Sequence, residues 1–355
     1  LVSEPIKPPG PKTRIAPPGV RLGPDPAASP GAAQRSPAGA KPASAGPRPA
    51  PGVPRPQPVL RKPATNAEGL DIPRRRRFGW KVGSRTIQLG ERALLMGVIN
   101  VTPDSFSDGG RYMDPDLAYA RAIQLEDEGA DLIDIGAEST RPGSERVSEG
   151  EELRRLIPVL KKLKGRLSIP ISVDTYKSNV AMKALEYGVD IINDPSGLTF
   201  DAGLAKVTVA SNAGLIINHM RGTPDTWNKL GSIKDLIGTV VSDLEASVSR
   251  ARRAGVERER IVIDPGIGFG KRKEQNAEIL AKLDGFASLD MPVLVGPSRK
   301  QFLRQATEDE TEFATAAAVT AAVLYGAHIV RVHDMKAMRA VVEVAEAIFR
   351  AGEPE

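Results

Sequence analysis

Cysteine is absent from the sequence, and histidine occurs only three times. Without thiols, the chain can form no disulfide bond, no thiolate metal site and no cysteine nucleophile. The three histidines lack the spacing of metal ligands, which excludes a zinc cluster as well. Neither a G-x-S-x-G motif nor a Ser-His-Asp pattern is evident. Any catalysis must therefore use other groups.

Long hydrophobic runs are also missing from the sequence. No stretch approaches the roughly 20 apolar residues that cross a bilayer. The N-terminus lacks the apolar segment of a secretory signal. We therefore expect a soluble, cytoplasmic protein with no membrane partner.

Aromatic and β-branched residues are scarce in residues 1–77, where Pro, Ala, Gly and Arg dominate. Such a composition cannot bury enough apolar surface to offset the entropy of ordering, so we predict a disordered, Pro-rich N-terminal extension. An organelle transit peptide, which is Arg-rich and acid-poor, is the alternative. The run Arg74–Arg77 is interpreted as a solvated junction.

The net charge of +5 originates in this extension. Residues 1–77 carry 14 Lys and Arg against 4 Asp and Glu, so the remainder of the chain is mildly acidic. Binding to a nucleic acid requires a continuous basic face that neutralises phosphates. We therefore expect no nucleic-acid partner, and any anion site must be a local pocket.

Order is predicted to begin near Phe78. Residues 78–92 alternate apolar and polar side chains around Gly-Ser, as in a β-hairpin that could plug one end of a barrel. Eight short apolar runs then alternate with segments of helical period, which indicates βαβ units and a parallel sheet. The runs span residues 94–100, 131–136, 171–175, 189–194, 214–219, 261–266, 292–296 and 329–333. Eight repeats favour an α/β fold of the (β/α)₈ TIM-barrel class over residues 78–351.

Four glycines stand directly before, or at the start of, predicted strands. They are Gly129, Gly188, Gly214 and Gly326. Glycine adopts the left-handed conformation that ends many helices. We therefore predict that each of the four ends the helix before its strand.

Polar residues follow nearly every predicted strand. In a barrel, the carboxyl ends of the strands meet at one mouth, where active sites lie. The mouth would combine carboxylates that accept from N–H groups with cations that bind an oxyanion. Its predicted members are Asn100, Asp134, Asp174, Asn193, His219, Asp264, Ser298, Lys300, Arg331 and His333. A single such residue is usually a helix cap, but the set predicts a pocket for a polar heterocycle and an anion.

Two long loops, residues 102–115 and 138–152, follow the first two strands and suit mobile lids. Arg141 in the second loop is suited to gripping phosphate. A Gly-rich run at 264–276 suggests a phosphate cradle, although it matches neither a P-loop nor a dinucleotide fingerprint. The expected metal is Mg²⁺, held mainly by substrate phosphates with the Asn100 carboxamide as a protein ligand. His219 and His328 are interpreted as structural.

From about Phe78 to Ala351, the chain resembles the dihydropteroate synthases. The resemblance is carried, in the family's order, by MGVINVTPDSFSDGG (96–110), DIGAESTRPG (134–143), ISVDTYK (171–177), DIINDPSG (190–197), HMRGTP (219–224), DPGIGFGK (264–271), GPSRKQFL (296–303) and RVHD (331–334). It implies that 6-hydroxymethyl-7,8-dihydropterin diphosphate condenses with p-aminobenzoate to give 7,8-dihydropteroate and diphosphate in folate biosynthesis. A homodimer is also implied.

The resemblance also implies roles for individual residues. Asp174, Asp264, Lys300 and Arg141 would be catalytic. The implied pterin contacts are Asp174, Asn193, Asp264 and Lys300, the diphosphate contacts are Arg141, Arg331 and His333, and the p-aminobenzoate contacts are Phe106, Thr140, Pro142 and Phe269. Ser298 is a further substrate-binding residue, and Asn100 resembles the Mg²⁺ ligand.

Two alternatives remain open. A pterin-dependent methyltransferase would lack both long loops, and this chain has both. A non-catalytic pterin-binding paralogue would have lost Asn100, Arg141, Lys300 or His333, and all four are present. The chain departs from the family's usual residues at Ala137, Asn218, Gln301 and Met335, which leaves a contact of Gln301 with p-aminobenzoate undecided.

Overall fold

The computed structural model describes residues 75–102, 114–139 and 143–351. All but the last three residues of the predicted extension therefore lie outside the described residues. The strands in these ranges are β1 (Phe78–Val82), β2 (Arg85–Leu89), β3 (Leu94–Asn100), β4 (Leu132–Gly136), β5 (Ile171–Asp174), β6 (Ile191–Asp194), β7 (Gly214–Asn218), β8 (Ile261–Asp264), β9 (Leu294–Val295) and β10 (Ile329–Val332). The α-helices are α1 (Pro115–Asp127), α2 (Glu149–Leu163), α3 (Ser178–Glu186), α4 (Gly203–Ser211), α5 (Leu236–Arg253), α6 (Lys273–Ala281), α7 (Glu308–Leu324) and α8 (Met335–Ala351).

Strands β3 to β10 form one parallel sheet in the order β8-β7-β6-β5-β4-β3-β10-β9. A parallel bridge between Ile263 of β8 and Val293, directly before β9, closes this sheet on itself. Each of the eight predicted apolar runs contains one strand, and each of these eight strands is followed along the chain by an α-helix. The predicted (β/α)₈ barrel is confirmed.

The hydrophobic core consists of two separate layers because successive side chains on a strand face opposite sides of the sheet. Outward-facing residues such as Ile133 and Ile135 pack with the helices in one large cluster. Inward-facing residues form a second cluster inside the barrel, which includes Leu132, Ile191 and Ile216. Burial on both faces explains why the strands are almost continuously apolar in sequence.

The predicted hairpin fills the amino-terminal end of the barrel. Strands β1 and β2 pair in antiparallel register around Gly83-Ser84, and Trp80, Val82 and Leu89 belong to the inner cluster. The indole Nε1 of Trp80 donates to the carbonyl of Arg260 at 2.9 Å. The hairpin therefore supplies the apolar side chains that close this end.

Gly214 has a role that differs from the prediction. Helix α4 ends at Ser211 and is capped by Asn212, whose φ of 55° is left-handed. Gly214 is the first residue of β7. A Cβ at Gly214 would lie 2.9 Å from Val82 Cγ2 and 3.1 Å from Trp80 Cζ2, so the missing side chain makes room for the hairpin. The other three glycines have φ values of 96°, 90° and 93° and follow helices as predicted: Gly129, Gly188 and Gly326.

The interpretation of the Arg74–Arg77 run as a solvated junction is wrong for Arg75. Its guanidinium pairs with Glu346 of α8 at 2.7 Å, and the two side chains are only 1% and 4% exposed. It also donates to the carbonyl of Val323 at 3.0 Å and stacks over the ring of Phe349. Sequence could not reveal this burial, because the partners lie about 250 or more residues away.

Within the described part of the chain, no helix has both the length and the apolar character needed to cross a membrane.

Replacement of Arg75 with Met should lower the free energy of unfolding by about 3–5 kcal/mol, because Glu346 would remain as a buried charge without its partner. Chemical denaturation measures this loss. Arg77→Met, which removes an exposed pair with Glu91, is the matched control and should change little. The double variant Arg75→Met/Glu346→Leu should be less destabilised than Arg75→Met alone. If it were more destabilised, the unpaired-charge explanation would fail.

Candidate active site

Inward-facing side chains change from apolar to polar toward the carboxyl ends of the strands. Asp134 stands two residues beyond Leu132, and Asn193 two beyond Ile191. Residues two apart on a strand face the same side, so these polar groups point into the barrel. We call this ring at and just beyond the strand ends the mouth layer. Its members are Asn100, Asp134, Asp174, Asn193, Asn218, Asp264, Ser298, Arg331 and His333.

Arg331 occupies the centre of an ion-pair network in the mouth layer. Its Nε donates to Asp134 Oδ2 at 2.7 Å, and its Nη2 donates to Asp174 Oδ2 at 3.4 Å. The amide of Asn193 donates to the same Asp134 oxygen at 3.1 Å. Three neighbouring strands and β10 are thereby cross-linked through side chains. The predicted diphosphate role of Arg331 stays a prediction, since here the guanidinium binds carboxylates.

The carboxylates of the mouth are held in an environment that opposes their charge. Burial, together with the nearby Asp134, raises the pKa of Asp174 above its usual range, and Arg331 opposes this shift. Burial raises the pKa of Asp264 to about 6, although the Gly266 amide donates to this carboxylate at 2.7 Å. Perturbed carboxylates grouped in a cleft are typical of functional sites.

Lys300 lies on a platform made by the loop after β8. Its Nζ stands 4.2 Å from the ring centroid of Phe269, within the range of a cation–π contact. The Phe269 ring packs edge-on against Trp227, with centroids 5.3 Å apart. Burial, reinforced by the charge of Arg331, lowers the pKa of Lys300 to about 8. A lysine and an aromatic ring thus border the carboxylates of the mouth.

A cavity of about 460 Å³ opens on the other side of the mouth, between α1 and the start of α8. Asn100 and His333 line it, and Ser298 Oγ lies 2.9 Å from His333 Nδ1. Its charged lining residues are the cations Arg121, Arg299 and Lys336 and the carboxylates Glu128 and Asp334. Arg121 pairs with Glu128, and Arg299 pairs with Glu312. The amide, the imidazole and the surplus of one cation over the carboxylates can accommodate an anion.

Arg299, which lines this cavity, also shapes the backbone between Ser298 and Lys300. Its φ of 56° is left-handed, a conformation that costs energy for a residue with a side chain. The Arg299 amide donates to Thr315 Oγ1 at 3.3 Å, and its guanidinium pairs with Glu312. These contacts hold the turn that places Ser298 and Lys300 on neighbouring parts of the site.

The second long loop is tied to the barrel on both sides of its undescribed centre. Glu138 accepts from the Tyr176 hydroxyl at 2.9 Å and pairs with Lys177. On the other side, the Arg146 guanidinium stands 4.5 Å from the ring centroid of Phe200 and 5.8 Å from that of Tyr176. Tyr176 therefore contacts both flanks of the loop.

The structure brings most of the predicted site residues together at one mouth. Eight of them belong to the mouth layer, and Phe269 and Lys300 lie in loops directly beyond the strands; the eight are Asn100, Asp134, Asp174, Asn193, Asp264, Ser298, Arg331 and His333. The remaining predictions, Phe106, Thr140, Arg141 and Pro142, fall outside the described residues. Their roles stay predictions.

The two histidines interpreted as structural occupy opposite ends of the barrel. His328 accepts from the Val293 amide and donates to the carbonyl of Arg76, at 3.1 and 3.0 Å, so both ring nitrogens are used by backbone at the hairpin end. Burial holds the pKa of His219 well below its usual range. Its Nε2 lies 3.0 Å from Asp243 Oδ2, and in the neutral ring this nitrogen carries the proton that it donates.

Three buried polar atoms that face the barrel interior have no hydrogen-bond partner within the described ranges. They are Asp134 Oδ1, Ser172 Oγ and Asn218 Oδ1. Asp134 and Ser172 are neighbours in the β4–β5 register, and Asn218 is the neighbour of Asp264. Unsatisfied buried polar atoms are costly and uncommon. Their collection at one mouth indicates a site built for a polar ligand.

Sequence reasoning missed several residues of this site. Ser172 could have been found by counting two residues back from Asp174, because the alternation places both on the inner face. Asn218 could have been found in the same way from Ile216. Lys271, whose ammonium lies among the carbonyls of the loop after β8, gave no signal beyond its place in the glycine-rich run.

Comparison with known proteins gives consistent matches to one family. The family described as "Pterin binding enzyme" matches residues 96–333. A dihydropteroate synthase from Synechocystis sp. is 44% identical over 273 residues, which cover 76% of this chain and 94% of that protein. Two solved structures match closely along most of their length. One, a dihydropteroate synthase from Clostridium difficile in the presence of pteroic acid, has 42% identity and a TM-score of 0.69 and covers 74% of this chain and 98% of that one. The other is a dihydropteroate synthase from Xanthomonas albilineans with 4-aminobenzoic acid. It has 36% identity and a TM-score of 0.70, and the match covers 78% of this chain and 100% of that one.

The lowered pKa of Lys300 predicts unusual reactivity toward acylating reagents. Because the amine loses its proton near pH 8, instead of near the ordinary value of about 10.4, its acetylation should rise through a midpoint at about pH 8. Trace acetic anhydride across the neutral and alkaline range, followed by peptide mass spectrometry, measures this midpoint. The exposed Lys273 in the same digest corrects for decay of the reagent. A midpoint for Lys300 above pH 10 would contradict the assignment of a desolvated lysine.

Proposed function

The chain belongs to the pterin-binding enzyme family, and from this premise we propose that it is a dihydropteroate synthase. It condenses 6-hydroxymethyl-7,8-dihydropterin diphosphate with p-aminobenzoate and releases 7,8-dihydropteroate and diphosphate in folate biosynthesis. The relatives that support this proposal carry that activity in their names. The observation that carries it is the mouth layer, a ring of polar side chains above an apolar plug.

The pterin is proposed to bind deep in the mouth layer. A pterin ring offers N–H and amino donors, and Asp174 and Asp264 are carboxylates that accept them. The Asn193 amide can donate and accept on the same side of the pocket. Lys300, which borders these carboxylates at the Phe269 platform, supplies a cation close to the ring. This arrangement fixes the orientation of a planar heterocycle before any bond breaks.

The diphosphate is proposed to extend toward the cavity lined by Asn100 and His333. Arg331 and His333 would neutralise the charge that develops as the C–O bond breaks, which is the difficult part of the reaction. Arg141 belongs to this proposed set from its sequence position. If the C–O bond breaks first, a pterin-methyl cation forms, and Asp174 and Asp264 would stabilise it.

Mg²⁺ is proposed as the metal, held mainly by the diphosphate, with the Asn100 carboxamide as the protein ligand. Within the described ranges, no group of three or more His, Cys, Asp or Glu side chains could hold an ion by itself. One amide oxygen beside a cavity lined by both cations and carboxylates fits an ion that arrives with its substrate. The ion would supply charge neutralisation of the leaving group.

The second substrate needs little chemical activation. The aryl amine of p-aminobenzoate is already neutral near pH 7, so no strong general base is required, and its proton leaves after the C–N bond forms. Phe269 is proposed to contact the aryl ring, with Phe106, Thr140 and Pro142 as further contacts from the two long loops. The diphosphate then leaves the pterin carbon on one side of the mouth, and the amine approaches that carbon from another side to form the C–N bond.

The proposed function is tested by turnover of pure protein with p-aminobenzoate and the pterin diphosphate in Mg²⁺. We expect diphosphate release, and loss of that release when a chelator removes the metal. Lys300→Ala and Arg331→Ala should each lower kcat/KM by on the order of 100-fold, because each removes a cation that borders the proposed substrate site. Lys273→Ala, at an exposed position, is the matched control and should retain full activity.

Deletion of residues 1–73 should leave turnover unchanged, because the deletion keeps Arg75 and the whole barrel. No diphosphate release from folded wild-type protein would sink the proposed function. Loss of activity on deletion, in a protein that stays folded, would contradict the expectation that the predicted disordered extension takes no part in turnover.

We further propose that the chain forms a homodimer, as its resemblance to the family implies, through helices α7 and α8. Large hydrophobic side chains are exposed on both: Phe313 is 75% exposed, Val344 61% and Ile348 50%. The two helices pack against each other, so these side chains lie on neighbouring helices. Exposed apolar patches of this kind often mark interfaces, and two-fold dimers are the commonest closed assembly.

Phe313→Ser and Ile348→Ser should shift the protein toward monomer, because each removes apolar area from the proposed interface. Sedimentation velocity over a dilution series measures the shift. Leu117→Ser is the control, since Leu117 of α1 is 51% exposed and lies on another helix. A wild-type protein that is monomeric at all concentrations, or an equal effect of Leu117→Ser, would contradict the proposed surface.

A further inference from the structure

Lys271 ends the glycine-rich loop of residues 264–271, and its ammonium group donates to three backbone carbonyls. The acceptors are the carbonyls of His219 at 3.0 Å, Gly266 at 2.7 Å and Phe269 at 3.3 Å. A lysine ammonium has three donors and no acceptor, so the donors and acceptors match in number. The group therefore binds main chain instead of a carboxylate.

The loop that Lys271 ties has an unusual backbone. Gly266, Gly268 and Gly270 have φ values of 72°, 84° and 70°, so the loop coils without helix or strand pairing. A Cβ at Gly266 would lie 1.9 Å from the His219 carbonyl oxygen, and one at Gly270 would lie 2.2 Å from the Arg221 carbonyl oxygen. The loop is therefore pressed against the segment that follows β7. Lys271 bonds both segments at once.

This loop carries or supports three residues of the proposed active site. Asp264 begins it, and Phe269 lies within it. Lys300 rests on it, because a Cβ at Gly268 would lie 2.8 Å from Lys300 Cδ while Lys300 Nζ stands over the Phe269 ring. A shift of the loop would therefore move a carboxylate, an aromatic ring and a cation together.

We propose that Lys271 is a positioning residue for the reaction, whose ammonium locks the 264–271 loop so that Asp264, Phe269 and Lys300 keep their places. This inference rests on the proposed function. Burial lowers the pKa of Lys271 to about 7, and the charged groups that face it are Asp264, Lys300, Asp243 and Arg221. Removal of the ammonium breaks all three hydrogen bonds at once. Misplacement of reacting groups by about 1 Å can cost on the order of 100-fold in rate.

Lys271→Met tests the proposal, because Met keeps a long unbranched side chain and removes the three donors. We expect kcat/KM to fall by about 10- to 100-fold, with higher KM for both substrates. The acetylation midpoint of Lys300 should move upward, since displacement of its platform would relieve the burial that lowers its pKa. Lys271→Gln, which keeps two N–H donors, should recover part of the lost activity. Lys273→Met, at an exposed lysine two residues away, should leave every value at the wild-type level.

Circular dichroism and thermal unfolding establish that each variant is folded before the kinetics are compared. If folded Lys271→Met keeps kcat and both KM values within about twofold of wild type, with an unchanged Lys300 midpoint, the inference is overturned. The same holds if only its thermal stability falls. If Lys271→Met does not fold, Lys271→Gln decides in the same way. Inactive wild-type protein would defeat the proposed function, whereas the Lys300 midpoint would still test the link between the two lysines.

Discussion

The interior of an eight-stranded barrel must be filled by side chains, and this chain fills its two ends by different means. At the amino-terminal end, Trp80 and Val82 of the hairpin join the inward-facing apolar residues. Because apolar groups close that end, the inner positions at the carboxyl end are free to be polar. Gly214 shows how tight the constraint is, since a side chain there would collide with the hairpin. The hairpin therefore fills the part of the barrel interior that the polar residues of the site leave without apolar side chains.

Burial of charged side chains at the polar end costs free energy, and the ion-pair network around Arg331 lowers this cost. Three carboxylates, Asp134, Asp174 and Asp264, share the mouth and its loops with the cations of Lys271, Lys300 and Arg331. Burial of charge is tolerable only when opposite charges and hydrogen bonds compensate it, and this set balances in formal charge. An anionic diphosphate would add negative charge, and these three carboxylates and three cations, which already balance one another, would not neutralise it. Its binding therefore favours the outer cations of the cavity and an accompanying divalent ion, which is the physical reason for proposing Mg²⁺.

The sequence predicted what depends on local pattern. Apolar runs located all eight barrel strands, and the polar residues after them located Asp174, Asp264 and Arg331 at one mouth, because a parallel barrel brings strand ends together. Contacts between distant segments could not be predicted. Arg75 is buried by α8, and Lys271 binds carbonyls whose positions depend on three glycine conformations. From sequence alone, a charged side chain in a basic or glycine-rich run is predicted to be solvated, because its partners come from distant segments of the chain.

Side chains that donate to main-chain carbonyls help to hold the described loops around the mouth. Lys271 binds carbonyls after β7 and β8, and Arg121 of α1 donates to the carbonyl of His333 at 2.8 Å. Irregular loops leave carbonyls that no helix or strand satisfies, and a cationic side chain satisfies several without fixing a regular conformation. Such bonds fix the position of a loop without requiring its backbone to be helical or extended, so the loop can contain the turns that a binding site needs. The same cations also add positive potential beside the mouth, so the groups that hold these loops also favour an anionic substrate.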